Sequence, residues 1–156
     1  IPYYLTGGLI QKFLSSKNKP RELILMVQKE VGERITAVPP KANYMSSMIQ
    51  HLADTKKLFS VKKENFWPQP KVDSMIIRLI PKKAVKPEAS GEYIVFLKHV
   101  FKQPRQTLFN NLRKSGLANS DNLEKLFQKL KIDKSARPQN LDQKKLMEFF
   151  KNIMVY

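Results

Sequence analysis

The sequence predicts an α/β unit followed by an all-α unit, and three observations predict it. Residues 23–27, Leu-Ile-Leu-Met-Val, run apolar without alternation, which suits a strand covered on both faces. Residues 57–63 and 72–80 read as two further strands, joined by a loop that holds Phe66, Trp67, Pro68, Gln69 and Pro70. Prolines cannot donate to a ladder, so this joint is a rigid irregular loop inside an antiparallel pair. Beyond residue 91 no strand pattern remains, and apolar residues recur only at helical spacing.

In chain order, residues 6–14 form a short helix with Thr6 as its N-cap and Leu9, Ile10, Phe13 and Leu14 on one face. A lysine-bearing loop leads to the first strand, which ends in Gln28-Lys29-Glu30. Residues 31–35 supply a turn or two of helix that Pro39-Pro40 breaks. Tyr44, Met45, Met48, Ile49 and Leu52 place a helix over residues 43–54. The pair of strands follows. Two prolines, lysines, Ser90 and Gly91 mark residues 81–91 as a linker. Four apolar stripes come next: Tyr93 to Phe101, Leu108 to Leu112, Leu123 to Leu130, and Leu146 to Ile153. The third is capped by Ser120 or by Asp121 with Glu124. Four short amphipathic helices make a small bundle. The expected domains are therefore residues 1–80 and 81–156.

Composition narrows the function classes. The chain has 156 residues, 42% of them hydrophobic, and a net charge of +16. Residues 1–80 carry 13 lysines and arginines against 6 acids, and residues 81–156 carry 16 against 7, so the excess is spread and is not a basic tail. The partner expected of such a surface is a polyanion, with nucleic acid ahead of an anionic membrane. No apolar run is long enough to span a bilayer. The absence of cysteine excludes disulfides and thiolate metal sites and points to a reducing compartment, hence a cytoplasmic location. With His51 and His99 alone, a histidine metal site is not expected. The chain opens at Ile1-Pro2-Tyr3-Tyr4 without Met, and a fragment is the expectation.

The residues that could carry chemistry are few. No nucleophile, histidine and acid fall at a recognisable spacing, and Gly7-Gly8 is too little for a phosphate loop. What remains is Pro2-Tyr3-Tyr4, Gln28-Lys29-Glu30 at a strand end, and the Phe66 loop with Lys71 at its exit. That loop either caps a core with its two aromatics or presents a flat ring to a ligand beside a cation. Trp67 is either another stacking ring or a cover for the domain junction.

Taken in order, Ile1-Pro2-Tyr3-Tyr4, Val27-Gln28-Lys29-Glu30-Val31 with Arg34, Phe66-x-Pro-x-Pro-Lys-Val-Asp-Ser74, Thr107-Leu108-x-Asn110-Asn111-Leu112, and Lys131-Ile132-Asp133 with Arg137 and Asn140-Leu141 resemble one family over essentially the whole chain. It is the KsgA-type small-subunit ribosomal RNA adenine dimethyltransferases, or dimethyladenosine transferases. The resemblance implies the C-terminal remnant of a Rossmann-like methyltransferase sheet plus a small helical bundle domain that binds rRNA. It also implies a three-stranded sheet with residues 72–80 between the other two strands. The implied activity is S-adenosylmethionine-dependent dimethylation of two adjacent adenosines in a hairpin near the 3′ end of small-subunit rRNA. The partner is that RNA or the immature small subunit, and the intact protein is expected to be a monomer.

Residue by residue, the resemblance makes Pro2 the carbonyl that orients the exocyclic amine and Tyr3 the ring that stacks on the adenine. Phe66 becomes the opposing ring, and Ile1 and Pro2 border the cofactor. An unstacked base recovers about 1–3 kcal/mol on an aromatic platform, and orienting the weakly nucleophilic amine matters more than a general base. Lys71, Arg105, Arg113 and Lys114 are candidate RNA contacts. Asn110 and Asn111 bond RNA backbone or satisfy a helix–helix contact, and both readings stand. Lys29-Glu30 is read as a strand-end pair shaping the cleft in preference to a catalytic dyad, and Asp73 caps or braces the Phe66 loop. The motif asparagine expected before Ile1, the Gly-rich cofactor loop and the ribose-binding acid are not in this sequence, so the fragment alone is expected to be inactive. The family's Arg-Arg-Lys is Pro104-Arg105-Gln106 here, and its Tyr-Gly is Tyr44-Met45. The rivals are a non-catalytic relative such as a mitochondrial transcription factor and the macrolide-resistance large-subunit rRNA methyltransferase.

Overall fold

The computed structural model describes residues 6–83 and 87–153, apart from the side chains of residues 87–90. Its first half is built on strands β1 (Leu23–Gln28), β2 (Ala53–Val61) and β3 (Ser74–Pro81), and on helices α1 (Thr6–Ser15), α2 (Lys29–Ile35) and α3 (Tyr44–Leu52). The strands form one antiparallel sheet in the order β1-β3-β2. β3 takes the centre, pairing along its length with β1 on one side and β2 on the other. The register sets Leu25 opposite Ile77 and Val27 opposite Met75, which places Val27, Met75, Ile77 and Leu79 on one buried face. Ile10 and Leu14 of α1 and Met48, Ile49 and Leu52 of α3 join them in one core. At Gly32 of α2 a Cβ would come within 2.7 Å of Met75 Sδ, so the glycine permits the close approach of helix to sheet.

Three expectations change. β2 starts at Ala53, not at 57, because α3 passes directly into it: the Ala53 amide still donates to the Ile49 carbonyl, while Ala53 already pairs with Pro81. The window 53–56 lacks an apolar alternation, and a register irregularity between Lys57 and Phe59 breaks the pattern further along. Residues 62 and 63 leave the strand, Lys63–Asn65 turning as a 3₁₀ segment. Second, β1 is not covered on both faces among the described residues: Ile24 is 57% and Met26 44% exposed. An unbroken apolar run cannot distinguish one covered face from two when every position is apolar. Third, β3 begins at Ser74, leaving Val72 in the loop.

The second half is helical: α4 (Pro87–Val100), α5 (Leu108–Ser115), α6 (Ser120–Lys129) and α7 (Gln143–Ile153). α4 begins inside the expected linker, since proline fits a helix's first position, where no donor is needed. α6 is capped by Asn119, whose Oδ1 accepts from the Asn122 amide, and not by Ser120 or Asp121. Tyr93, Leu97, Leu108, Leu112, Phe127 and Phe149 form the interior, with Phe127 edge-on to Phe109 and Phe149. The bundle meets the first half at α3. Gln143 Nε2 donates to the Ser47 carbonyl (2.6 Å), the Tyr93 hydroxyl donates to Gln143 Oε1 (3.2 Å), and the Tyr93 ring lies 4.4 Å from that of His51.

Candidate nucleic-acid interface

The strand register decides where the Phe66 loop sits. Gln28, Ser74 and Val61 lie abreast, so β1 and β2 end where β3 begins. The chain thus leaves β1 and β2 and enters β3 at one end of the sheet. Asp73 ties this end together. Its carboxylate Oδ1 accepts from the Lys63 amide (3.1 Å) and its carbonyl accepts from the Lys29 amide (3.0 Å). One residue therefore links the start of α2 to the entry of the loop, which is the bracing role expected of it. The loop opens with Phe66, whose amide donates to the Lys63 carbonyl (3.3 Å) and whose side chain is half-buried. An open cleft of about 410 Å³ lies against this end, lined by Lys29, Glu30, Glu33, Lys63, Lys71 and neighbouring Val72 and Asp73. Lys29 and Glu30 thus shape the cleft, as expected of them. None of Lys29, Lys63 and Lys71 makes an ion pair among the described residues.

Trp67 is 98% exposed. It covers no domain junction, because an indole packed on protein could not keep almost all of its surface in water. Of its two readings, the cover is excluded.

A second group of candidates surrounds α5. The Thr107 hydroxyl accepts from the Asn110 amide (3.2 Å), capping the helix, and Gly116 closes it at φ 72°. Arg105, Arg113 and Lys114 are exposed, and Lys114 Nζ donates to Gln106 Oε1 (3.2 Å). Asn111 is buried, and its amide is engaged internally. Oδ1 accepts from the Gln103 amide (3.1 Å), while Nδ2 donates to the carbonyls of Gln103 (3.0 Å) and Thr107 (3.2 Å). These bonds tie α5 to the loop before it, the one that carries Arg105, which is neither an RNA contact nor the helix–helix contact expected of Asn111. Ile1, Pro2 and Tyr3 lie outside the described residues.

The structure adds Lys63 to the cleft, which sequence reasoning placed at a strand end. The signal that could have found it is Asp73, ten residues on, whose carboxylate needs a donor at the loop's other end. The half-buried His51 is the other unforeseen feature. Its Nε2 is a buried side-chain nitrogen without a hydrogen-bond partner among the described residues. Burial, then Lys82 and Lys19, pulls its pKa down to about 4, which keeps the ring neutral against Tyr93. No helix among the described residues is long and apolar enough to cross a membrane.

The comparisons with known proteins agree with one another. The family model described as ribosomal RNA adenine dimethylase matches residues 1–154. The "Ribosomal RNA small subunit methyltransferase A" of Lactobacillus helveticus is 37% identical over 98% of this chain and 53% of its own length. That of Clostridium acetobutylicum is 36% identical over 90% of this chain and 52% of its own. The chain thus spans about half the length of these relatives. Among solved structures, a dimethyladenosine transferase from Plasmodium falciparum superposes with a TM-score of 0.79 at 25% identity, covering 97% of this chain and 65% of that one. The 23S rRNA methyltransferase ErmE gives 0.73 at 18% identity, covering 99% and 63%, a likeness of fold. With a family model matched along nearly its whole length, this chain belongs to the ribosomal RNA adenine dimethylases.

Proposed function

We propose that the protein carrying this chain transfers methyl groups to the exocyclic amines of two adjacent adenosines near the 3′ end of small-subunit rRNA, during maturation of the small subunit in the cytoplasm. Family membership and the names of the relatives support the reaction class. The observation that carries the assignment of the site is the Phe66 loop, held by Asp73 at the end of the sheet beside a cleft that contains Lys29, Lys63 and Lys71. Residues 1–80 are proposed as part of the catalytic domain and residues 81–156 as the part that grips rRNA. Arg105, Arg113, Lys114 and Asn110 contact the strand there, and Lys71 contacts it at the cleft.

S-Adenosylmethionine is the proposed donor. The cleft beside the Phe66 loop does not fit it: it is open and lined almost wholly by charged side chains, whereas an adenosyl group needs mostly apolar walls. Donor binding is therefore assigned to the length the relatives have beyond this match, with Ile1 and Pro2 at its border. What this chain contributes is control of the acceptor. The amine's lone pair is delocalised into the purine. A base held between the rings of Phe66 and Tyr3, with one of its amine hydrogens on the Pro2 carbonyl and the other on the motif asparagine, has that lone pair aimed at the methyl group. Ring stacking offsets the unstacking of the flipped base.

The test is nucleoside mass spectrometry of small-subunit rRNA incubated with the full-length protein and S-adenosylmethionine. Dimethyladenosine at two neighbouring positions is expected. Binding of the RNA without any methylated adenosine would overturn the proposal.

A further inference from the structure

The chain's one tryptophan stands at the tip of the Phe66 loop with its surface open to water. An indole so placed contributes nothing to packing, and water is a poor neighbour for its faces. The loop's two ends, at Lys63 and Lys71, both line the cleft. Residues 56–73 hold Lys56, Lys57, Lys62, Lys63 and Lys71 against Glu64 and Asp73 alone. The Asp73 carboxylate is engaged with the Lys63 amide. Glu30 and Glu33 stand on the α2 side of the cleft, so an anionic strand is drawn to the hairpin side, where the indole is.

We propose that Trp67 is a second stacking platform, which takes a nucleobase of single-stranded RNA flanking the target adenosine while Lys63 and Lys71 hold the phosphates beside it. The proposal rests on the rRNA reading above and adds to it a contact of this chain's own. Phe66 and Trp67 are consecutive, so the loop offers two rings to two different bases. Trp67 acts on binding of the strand and Phe66 on the base that reacts. The indole's contribution does not depend on counterion release, whereas that of the lysines does.

The experiment is a titration with a short adenine-containing RNA. The indole emission of Trp67 is isolated as the difference between wild type and Trp67→Phe, and affinities are measured for wild type, Trp67→Phe, Trp67→Ala and Lys71→Ala at several salt concentrations. Stacking predicts saturable quenching of the Trp67 emission. Trp67→Ala should weaken binding by roughly 5- to 100-fold, with Trp67→Phe between it and wild type. Trp67→Ala should leave the slope of log K against log salt unchanged, while Lys71→Ala should reduce that slope by about one. Far-ultraviolet circular dichroism of the variants should be that of wild type, since the indole packs on nothing. RNA bound at undiminished affinity by Trp67→Ala, with no change in indole emission, would overturn the platform and leave the methyltransferase reading intact. Absence of RNA binding at any salt would overturn both. Emission that shifts with protein concentration alone would show the indole covered by a second copy of the chain and overturn the proposal.

Discussion

A pair of identical substitutions at two helical glycines should move stability in opposite directions. In α1, a Cβ added at Gly8 meets nothing within 4 Å. Gly8→Ala therefore contributes only the lost backbone freedom of the unfolded chain, a gain of about 0.5–1 kcal/mol. In α2, a Cβ at Gly32 lies 2.7 Å from Met75 Sδ and 3.1 Å from both Cβ and Cγ of the same residue. The sulfur could swing away, but Met75 Cβ is fixed to the central strand, so helix and sheet must separate. Overpacking of this kind costs about 1–3 kcal/mol. Subtracting the helical gain leaves Gly32→Ala less stable than wild type by up to about 2.5 kcal/mol. Urea unfolding followed by circular dichroism reads both values, and thermal midpoints should shift by about 2–4 °C per kcal/mol for a chain of this size. In a Met75→Ala background the close contacts with Sδ and Cγ are gone while the 3.1 Å approach to Cβ stays, so the cost of Gly32→Ala should shrink without vanishing. A Gly32→Ala protein as stable as the Gly8→Ala protein would refute the claim that α2 sits on β3 by virtue of that glycine.

Three other predictions follow from named contacts. Asn111→Ala breaks three internal hydrogen bonds of a buried amide and should cost about 2–3 kcal/mol; Asn111→Asp, which cannot donate to the Gln103 carbonyl, should not restore stability in the same urea assay. Lys131 holds a left-handed backbone at φ 51° just past α6, so Lys131→Gly should raise stability by about 0.5–1 kcal/mol, read as a higher thermal midpoint. His51 has a folded-state pKa of about 4 against an ordinary 6.5. The unfolded chain therefore binds the extra proton first, so stability is fully present above about pH 6.5 and is lost as pH falls toward 4. The half-exposed ring limits the loss to about 1–2 kcal/mol; His51→Gln should flatten this part of the pH–stability curve, measured between pH 4 and 7.

The order of elements was legible because most of it rests on periodicity. The stripes Tyr93 to Phe101 and Leu146 to Ile153 became α4 and α7, and the strand–loop–strand reading became β2 and β3 with the loop at the end of the sheet. The central position of β3 came from the resemblance and is what the pairing displays. What periodicity could not supply were boundaries set by tertiary partners. Ala53 to Lys56 became strand only because β3 extends far enough to pair with it, and Asn119 displaced two equally suitable caps. At the site, Phe66, Lys71 and Asp73 were visible as a motif. The inward orientation of Asn111 and the arrival of Lys63 in the cleft were not, because side-chain direction depends on the fold around it. The exposure of Trp67 was equally hidden, since proline-flanked aromatics read alike whether they pack or protrude.

The most direct measurement compares methyl transfer with RNA affinity for wild-type and Phe66→Ala full-length protein, using single-turnover kinetics and a binding titration on the same small-subunit rRNA. If Phe66 is one of the rings that grips the reacting adenine, transfer should slow by about 10- to 100-fold while affinity changes by no more than about threefold. Equal losses of rate and affinity, or an unchanged rate, would contradict the account.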